Sequence, residues 1–371
     1  MKNMKLTVGI VSTVLCLMVS DMRVEGQAPA SDATGIENPF KGVVTNVNPV
    51  GLTVKSDPNA SKSPAGKAGG ISRSRSDSRG IHFAIKGARI TRGGWHPCEL
   101  KDIQRGDSVT IAFTPPKEGS SKFIATQIDI ARELSAAEKL PILGKPGKLL
   151  FEDDFSRSEM PPKWRLGKGF WEIRGNVVVA AENPEDKHGA YAYVEPRFVY
   201  KDIVAEFSFK FDGSTGCHFM MEDSNYKGAH AGHIIRATIT PTSAQLADSK
   251  FGTMKNEIYE KMKDPNTSPE EKKQIQASIK DKAASFKIAL DTDKWHQGRV
   301  EVVGDEMLLS VDNQPVGYLK SEGVNHPTKN MIGFTIAGKS TQLDNLKVWD
   351  ATIRPDWSRN CADIQAVLRK Q

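Results

Sequence analysis

The sequence predicts an all-β protein with two domains, in which a small antiparallel barrel precedes a larger sandwich of two antiparallel sheets that carries a helical hairpin as an insertion. Short runs along most of the chain alternate apolar and polar residues, as in "AEFSFKF", where Phe207, Phe209 and Phe211 point to one side. Turn residues separate these runs, which is typical of strands joined by tight connections. Residues 253–286 instead repeat apolar residues every four positions, which indicates helix.

The N-terminal residues 1–28 have the features of a secretory signal peptide, because Lys2 and Lys5 precede an apolar run and small residues follow it near Ala28. The apolar run is about 15 residues long, which is too short to span a bilayer comfortably. No later segment is as hydrophobic, so the sequence predicts no membrane span. We therefore expect a secreted or periplasmic protein with a cleaved signal peptide.

The charge and cysteine content exclude few partners. The net charge is +6, a surplus too small to indicate an acidic partner. Residues 57–80 carry arginines but no aromatic residue that would stack on a base, so nucleic acid is disfavoured as a partner. Cys98, Cys217 and Cys361 are far apart and lack metal-type spacing, and the sequence leaves open which pair, if any, forms a disulfide. It also leaves the oligomeric state open.

The barrel is predicted at residues 38–132, where four short β-runs are separated by turns. The segment "LKDIQRGDSVTI", in which Gly106 and Asp107 turn the chain into a strand, resembles the short OB-like barrel domains of unknown function found in secreted bacterial proteins. Residues 57–80 are rich in Ser, Gly and basic residues and poor in large apolar ones. We expect a flexible surface loop there, with a binding arm as the alternative.

The sandwich is predicted at residues 149–352. It follows a proline-punctuated linker at residues 133–148, which we interpret as the domain boundary. Residues 353–371 are predicted to form a C-terminal tail.

The helical insertion at residues 253–286 carries start signals for its second helix, because Ser268, Pro269 and Glu271 supply an N-cap, a proline at the first helical position and a capping-box acid. An apolar stripe continues from this helix to Ala283. We expect the hairpin to brace the sandwich rim, with a substrate lid as the alternative.

Several runs between residues 149 and 351 carry a family resemblance: "FEDDFS", "FWEIRGNVVVA", "KDIVAEFSFKFDG", "DKWHQGRVEVVGDEMLLSVDNQPVGYL", "HPTKNMIGFTIAG" and "LDNLKVWDA". They resemble the concanavalin A-like lectin/glucanase sandwich and, more narrowly, the secreted 3-keto-disaccharide hydrolase family. The resemblance implies a jelly roll whose concave sheet holds carbohydrate, as a binding module or as a glycoside hydrolase. One strand of that family, Asn-Ser-Gly followed by hydrophobic residues and an arginine, appears here as "STGCHFMMED".

The catalytic motif of laminarinase-type retaining glucanases, E-x-D-x-x-E, does not occur in the chain, so that mechanism is disfavoured. The alternative to a carbohydrate-binding protein or hydrolase is a non-catalytic cell-surface or matrix protein that binds a partner through the barrel.

The candidate site lies in "GCHFMMEDSNYKGAHAGHIIRA", residues 216–237, which concentrates histidines, acids and an arginine. If this stretch begins as a strand, alternation places His218 and Glu222 on the face opposite the apolar residues. The same alternation predicts that His233 and Arg236 diverge.

Three interpretations of the stretch stay open: a sugar site, a metal site and ordinary structural packing. For a hydrolase, we expect Glu222 or Asp223 as general acid or base, with His218 and His230 orienting or sharing the proton. Polar and aromatic groups suited to sugar hydroxyls and a pyranose face are Asn225, Tyr226, His230, His233 and Arg236. For a metal, His230 and His233 would supply imidazoles, and Glu222 or Asp223 a carboxylate.

Carbohydrate binding or hydrolysis at this stretch requires no cofactor, but a structural calcium ion is an option where the first and last strands of the sandwich meet. Asp153, Asp154 and Asp344 would supply carboxylates there, the ligands that calcium prefers. A solvated acidic turn is the alternative.

Overall fold

The computed structural model describes most of the chain, namely residues 39–56, 80–114, 116 and 122–369. The predicted signal peptide and nearly all of the predicted loop at residues 57–80 lie outside the described residues. The described chain forms two compact units, residues 39–140 with 358–369, and residues 141–357. Both are built mainly of β-strands, which confirms the all-β fold class.

The first unit is a small barrel with a 3-10 helix at Leu100–Asp102. Its strands are β1 (Phe40–Asn48), β2 (Gly51–Ser56), β3 (Ile81–Ala84), β4 (Arg89–Arg92), β5 (His96–Pro97), β6 (Ser108–Thr114) and β7 (Phe123–Ile130). The ring β1-β2-β3-β7-β6 closes because β3 pairs in parallel with β7 while β6 pairs with β1. A small barrel is therefore present, as the sequence predicts; its OB-like type stays a prediction. Its interior is filled by alternate apolar residues such as Leu52, Phe83 and Ile111.

The second unit contains thirteen described strands. They are β8 (Gly144–Asp153), β9 (Trp164–Leu166), β10 (Phe170–Arg174), β11 (Val177–Ala181), β12 (Ala190–Val194), β13 (Ile203–Glu222), β14 (His233–Ile239), β15 (Ser243–Asp248), β16 (Ala283–Lys287), β17 (His296–Val303), β18 (Glu306–Val311), β19 (Gln314–Lys320) and β20 (Met331–Ile353). Short 3-10 helices lie at Pro184–Asp186, His230–Gly232, Lys280–Lys282 and Glu322–Val324.

Two long strands, β13 and β20, pair with each other and run through both layers of this sandwich. Their pairing shifts register repeatedly between Asp212 and Gly216, and Gly213 and Gly338 adopt positive φ angles of 81° and 85° there. Bulges and glycines of this kind let a strand turn a corner. The first half of β13 also pairs with β17, whereas its second half pairs with β14. Each long strand therefore contributes one half to each layer.

The core between the layers shows how far β13 folds back on itself. Phe207 and Phe219 are 12 residues apart, which is about 40 Å along an extended strand, yet their rings stack with centroids 5.6 Å apart. Phe334 of β20 packs edge-on against both rings, at 5.1 and 5.3 Å. The predicted alternation is confirmed, since Phe207, Phe209 and Phe211 all belong to this core.

The insertion contains two helices, Asn256–Lys263 and Pro269–Ser278, so the predicted helical hairpin is present. Ser268 accepts a hydrogen bond from the Glu271 amide, as its predicted N-cap role requires. The predicted helical stripe extends too far, because Ala283 begins β16, which pairs with β15 at the sheet edge. Strand pairing outweighs the weak helical preference of this segment.

The C-terminal segment, predicted as a tail, contains a helix at Trp357–Leu368. No helix within the described part of the chain has the length and hydrophobicity that crossing a bilayer requires. Cys98, Cys217 and Cys361 are free thiols in this structure.

Candidate functional site

The second layer of the sandwich has an inward face that joins the core and an outward face that carries polar and aromatic groups. Inward side chains such as Cys217, Phe219 and Met221 belong to the core. We call the outward face the site face and define it by Arg165, Tyr191, Tyr193, His218, Glu222, His233, Arg236, Thr238, Gln245 and Thr335, together with the intervening Met220 and Gly333. It is assembled from the neighbouring strands β9, β12, β20, β13, β14 and β15, of which β20 lies more than 100 residues from β13 in sequence.

Strand register aligns these side chains in rows across the sheet. One row runs from Tyr191 through Thr335, His218 and Thr238 to Gln245. The next row runs from Tyr193 through Gly333, Met220 and Arg236 to Ala247. Directly opposite residues of antiparallel strands share a face, so the register brings these groups together over a continuous surface.

Glu222 lies at one end of the site face and is almost completely buried, with its side chain 1% exposed. Its carboxylate contacts Nδ1 of His233, which lies directly opposite on β14. Burial, together with the nearby Glu222 carboxylate, raises the pKa of Tyr193 well above its usual value. Glu222 is therefore covered by an imidazole and a phenol.

Gly333 explains how Tyr193 reaches Glu222 from β12, two strands away. A Cβ at Gly333 would collide with the Tyr193 ring and with the Ala192 carbonyl. The missing side chain lets the ring lie across β20 toward β13. A glycine is required here for a close approach rather than for a turn.

The prediction that His233 and Arg236 diverge was wrong. A bulge between Met221 and Glu222 shifts the register, so that His233 pairs with Glu222 while Arg236 pairs with Met220. Both partners point outward, and a bulge adds one residue to one strand. His233 and Arg236 therefore lie on the same face.

Arg236 occupies the middle of the site face and is only partly exposed. Its Nε is buried and has no hydrogen-bond partner. Burial lowers the pKa of the guanidinium, while the charge of Glu222 acts in the opposite direction. Among the described residues, Arg236 thus forms no ion pair within 4.0 Å, and its buried Nε is left without an acceptor.

His218 lies in the neighbouring row, and its Nδ1 is 2.8 Å from the Thr238 hydroxyl. Burial, reinforced by the positive charge of Arg236, lowers the pKa of His218 to about 3. The imidazole is therefore neutral near pH 7, where it can accept or donate a hydrogen bond without carrying charge.

His218 should make the stability of the sandwich depend on pH. Its pKa is 6.5 unfolded and about 3 folded, so the unfolded chain binds the additional proton between these values. Its contribution is fully present above pH 6.5 and is lost as the pH falls toward 3. We expect a loss of about 1–2 kcal/mol between pH 7 and 5 in the wild type, and a smaller loss in His218→Asn. Urea denaturation at both pH values measures it.

The exposed His188 provides the control for this experiment. His188→Asn should retain the wild-type pH dependence. If His218→Asn and His188→Asn lose equal stability on acidification, His218 does not carry the effect.

The helical insertion contributes to the margin of the site face. The Tyr259 ring stacks on His230 with centroids 3.9 Å apart and an interplanar angle of 13°. His230 lies 6.2 Å from His233, ring to ring, and its backbone amide donates to the Met254 carbonyl. Burial lowers the pKa of His230, as do the neighbouring His233 and Lys263. The insertion thus supplies an aromatic wall beside the histidines, in addition to bracing the loop.

Asp223, a candidate general acid or base, is occupied by structural contacts. Its carboxylate accepts hydrogen bonds from His326 Nε2 at 3.0 Å, Thr328 Oγ1 at 2.9 Å, the Asn225 amide at 2.8 Å and Asn330 Nδ2 at 3.2 Å. Burial alone would raise the pKa of Asp223, but the hydrogen bond from His326 and the others lower it overall. These contacts fix the loop before β20 and leave no free oxygen for acid–base chemistry.

Two predicted ligand-binding residues, Asn225 and Tyr226, lie in this loop region. Asn225 contributes its backbone amide to Asp223, and Tyr226 packs edge-on against His326 with centroids 5.2 Å apart. The structure therefore gathers His218, Glu222, His233 and Arg236 at the site face. The loop that begins at Asp223 instead makes the contacts with His326, Thr328 and Asn330 described above.

The calcium candidates meet where β8 pairs with β20, as predicted for first and last strands. Asp153 is held by Arg157, by Trp164 Nε1 at 2.7 Å and by the Phe155 amide, so its oxygens already have donors. Burial raises the pKa of Asp344, and the charges of Asp154 and Asp153 add to this effect. Among the described residues, no group of three His, Cys, Asp or Glu side chains has a metal-holding arrangement. A calcium site stays a prediction, as does a metal at His230 and His233.

The residues of this region that sequence reasoning missed include Arg165, Tyr191, Tyr193 and Tyr259. One signal was present: the alternation in "AYAYV" places Tyr191 and Tyr193 on one face of β12. Nothing local could show that β12 lies two strands from β13. Arg165 and Tyr259 lie on other elements, and they join the region through their contacts with Tyr193 and His230.

Comparisons with known proteins give matches to solved structures only, at low similarity. No protein-family model and no curated protein sequence matches the chain. Among solved structures, a carbohydrate binding module from Bacillus subtilis is 11% identical with a TM-score of 0.33, covering 52% of this chain and 95% of that chain. A laminarinase from Flavobacterium sp. UMI-01 is 15% identical with a TM-score of 0.38, covering 55% and 100%. An endo-beta-1,3-glucanase from Pyrococcus furiosus is 12% identical with a TM-score of 0.38, covering 58% and 100%.

At these identities and TM-scores, the similarities carry no argument about fold or activity. The β-sandwich architecture of the second unit rests on its own strand pairing. The narrower resemblance to 3-keto-disaccharide hydrolases stays a prediction, and any argument about function rests on the site face.

Proposed function

We propose that the protein binds carbohydrate on the site face. The observation that carries this proposal is the combination, on one sheet surface, of partly exposed tyrosine rings with hydrogen-bonding groups that lack protein partners. Tyr191 and Tyr193 lie side by side with ring centroids 5.7 Å apart. Arg236 on β14, three strands from Tyr193, has one donor, Nε, without a hydrogen-bond partner.

Sugars require this combination because a pyranose ring has apolar C–H faces and a polar rim. Aromatic rings pack against the C–H faces, and a few placed polar groups fix the hydroxyls. On the site face, Tyr191 and Tyr193 can provide the packing surface. His218 and Arg236 can provide hydrogen bonds from the adjacent strands.

Hydrolysis of a glycoside, including a 3-keto-glycoside, is a second candidate, favoured by the Glu222–His233 pair. A buried carboxylate beside a partly exposed imidazole, 23% exposed, is suited to general acid–base catalysis with His233 at the solvent side. Glu222 is the one carboxylate among the defining residues of the site face. A retaining mechanism, which needs two carboxylates about 5 Å apart, is therefore disfavoured. In a hydrolase, Glu222 and His233 together would have to donate the proton to the substrate and accept it again.

The experiment is a glycan array on the mature protein, followed by titration of the best ligand and assay of 3-keto-glycoside cleavage. Glu222→Gln should weaken binding or turnover at least about tenfold, which corresponds to about 1.4 kcal/mol, because the amide no longer holds His233 and Tyr193 as a carboxylate does. Its melting temperature should stay close to that of the wild type.

Glu172→Gln is a suitable matched control, since Glu172 lies on β10 in an exposed ion pair with Arg174. It should leave binding unchanged. Undiminished ligand affinity in Glu222→Gln would argue against the site face. Binding without turnover in the wild type would favour the binding module over the hydrolase.

A further inference from the structure

We propose that the site face selects an acidic sugar, and that Arg236 pairs with the carboxylate of a uronic acid residue in the ligand. This inference rests on the proposed carbohydrate binding and specifies its substrate class. It starts from the state of Arg236, whose Nε is buried without a hydrogen-bond partner in the middle of the face.

The immediate surroundings of Arg236 provide no counter-ion. Its neighbours in the row are Met220 on one side and Ala247 on the other, and neither side chain offers an oxygen. Another arginine inside a strand of this sandwich, Arg299, instead donates through Nε to Glu206 Oε1 at 2.6 Å and contacts Asn313. A guanidinium withdrawn from water is costly unless it is paired. Arg236 is therefore poised for an anion supplied from outside.

The nearest carboxylate does not fill this role. Glu222 attracts Arg236 electrostatically, but its carboxylate lies against His233 and forms no ion pair with Arg236 within 4.0 Å. With a side chain only 1% exposed, Glu222 is screened from an incoming ligand. The ligand meets the imidazole, the phenol and the guanidinium first.

Cations also lie at the margins of the face. The Arg165 guanidinium lies over the Tyr193 ring, 5.5 Å from its centroid, with Glu195 as a partner at 3.7 Å. Lys263 lies over the Tyr259 ring at 4.5 Å on the insertion side. A planar carboxylate matches the two-pronged geometry of a guanidinium. A neutral hydroxyl forms a weaker hydrogen bond, so it offsets less of the free energy that desolvation of the guanidinium costs. The charge pattern thus favours an acidic over a neutral sugar.

The test compares matched ligands that differ in one group. Calorimetric titration of the mature protein with oligomers of galacturonic acid and of galactose isolates the carboxylate. We expect the wild type to bind the uronate at least about tenfold more tightly, with a preference that shrinks as salt is added, because screening weakens the charge attraction.

Three variants connect the preference to Arg236. Arg236→Gln should abolish it, and Arg236→Lys should retain part of it, since lysine keeps the charge but loses the fork. Arg174→Gln, on the exposed edge strand β10, should behave as the wild type. If Arg236→Gln does not fold, the preference for the uronate in the wild type and in Arg236→Lys still tests the inference.

Equal affinity of the wild type for both oligomers would overturn this inference and leave carbohydrate binding intact. Tighter binding of a sulfated galactose oligomer than of the uronate would also overturn it, since the carboxylate is the claimed group. Failure of the wild type to bind either sugar class would overturn the proposed function itself.

Discussion

Replacing Phe207 with alanine should destabilise the sandwich by about 3–5 kcal/mol. Phe207 is fully buried where the two halves of β13 meet, and it contacts Phe219 and Phe334 within 5.6 Å between ring centroids. Its ring also lies over Gly298, directly opposite on β17, where a Cβ would collide with it. Because the ring is packed between these neighbours, its removal should leave a cavity between the layers.

Urea denaturation followed by tryptophan fluorescence measures this effect. Five of the six tryptophans lie within residues 141–357, so the signal mainly reports the sandwich. Ser208→Ala, one residue along the same strand and facing outward, is the matched control and should change stability little. An unfolding midpoint for Phe207→Ala equal to that of the control would show that the layers do not depend on this stack.

Replacing Glu301 with alanine should cost about 3–5 kcal/mol, the range for breaking a buried charged contact. Glu301 is 0% exposed on β17. Its carboxylate accepts hydrogen bonds from three consecutive backbone amides, Ile142 at 2.9 Å, Leu143 at 2.8 Å and Gly144 at 2.9 Å. Alanine would leave these buried donors unsatisfied at the point where the chain enters β8.

Glu301→Gln is the matched variant, because the amide retains one acceptor oxygen and should lose less stability than Glu301→Ala. Burial raises the pKa of Glu301, although the backbone amides oppose this effect. The folded state therefore holds the proton to a higher pH than the unfolded chain. The resulting stability is fully present below pH 4.5 and is lost as the pH rises through the folded pKa. Glu301→Gln should remove this pH dependence, and urea denaturation across pH 4–8 measures it. Equal stability of the wild type and Glu301→Ala would contradict a structural role for these hydrogen bonds.

Much of the fold could be predicted from local patterns. Period-two alternation placed Phe207, Phe209 and Phe211 in the core, and the same alternation correctly separated His218 and Glu222 from Phe219. These patterns are readable because a strand exposes alternate residues to one environment whatever its neighbours are. The start of the second inserted helix at Ser268 was equally local, since a cap acts within one turn.

The errors arose where pairing with a distant strand decided the outcome. The helical stripe through Ala283 ended because β16 joined the sheet beside β15. The expected divergence of His233 and Arg236 failed because a bulge inserted one residue into the pairing with β13. A register shift of one residue reverses every side chain beyond it, and nothing in the local composition of "GHIIRA" reveals it.

The sequence by itself determined the all-β class, the barrel before the sandwich, the helical insertion and the concentration of polar residues around Glu222. Only the tertiary structure decided which of those residues act together. It joined Tyr193, Glu222 and Arg236 across β12, β20, β13 and β14, while it turned Asp223 to the loop before β20. The physical reason is that a sheet surface is assembled across strands, through hydrogen-bonded register between segments more than 100 residues apart in sequence, whereas sequence patterns report only the environment along one strand.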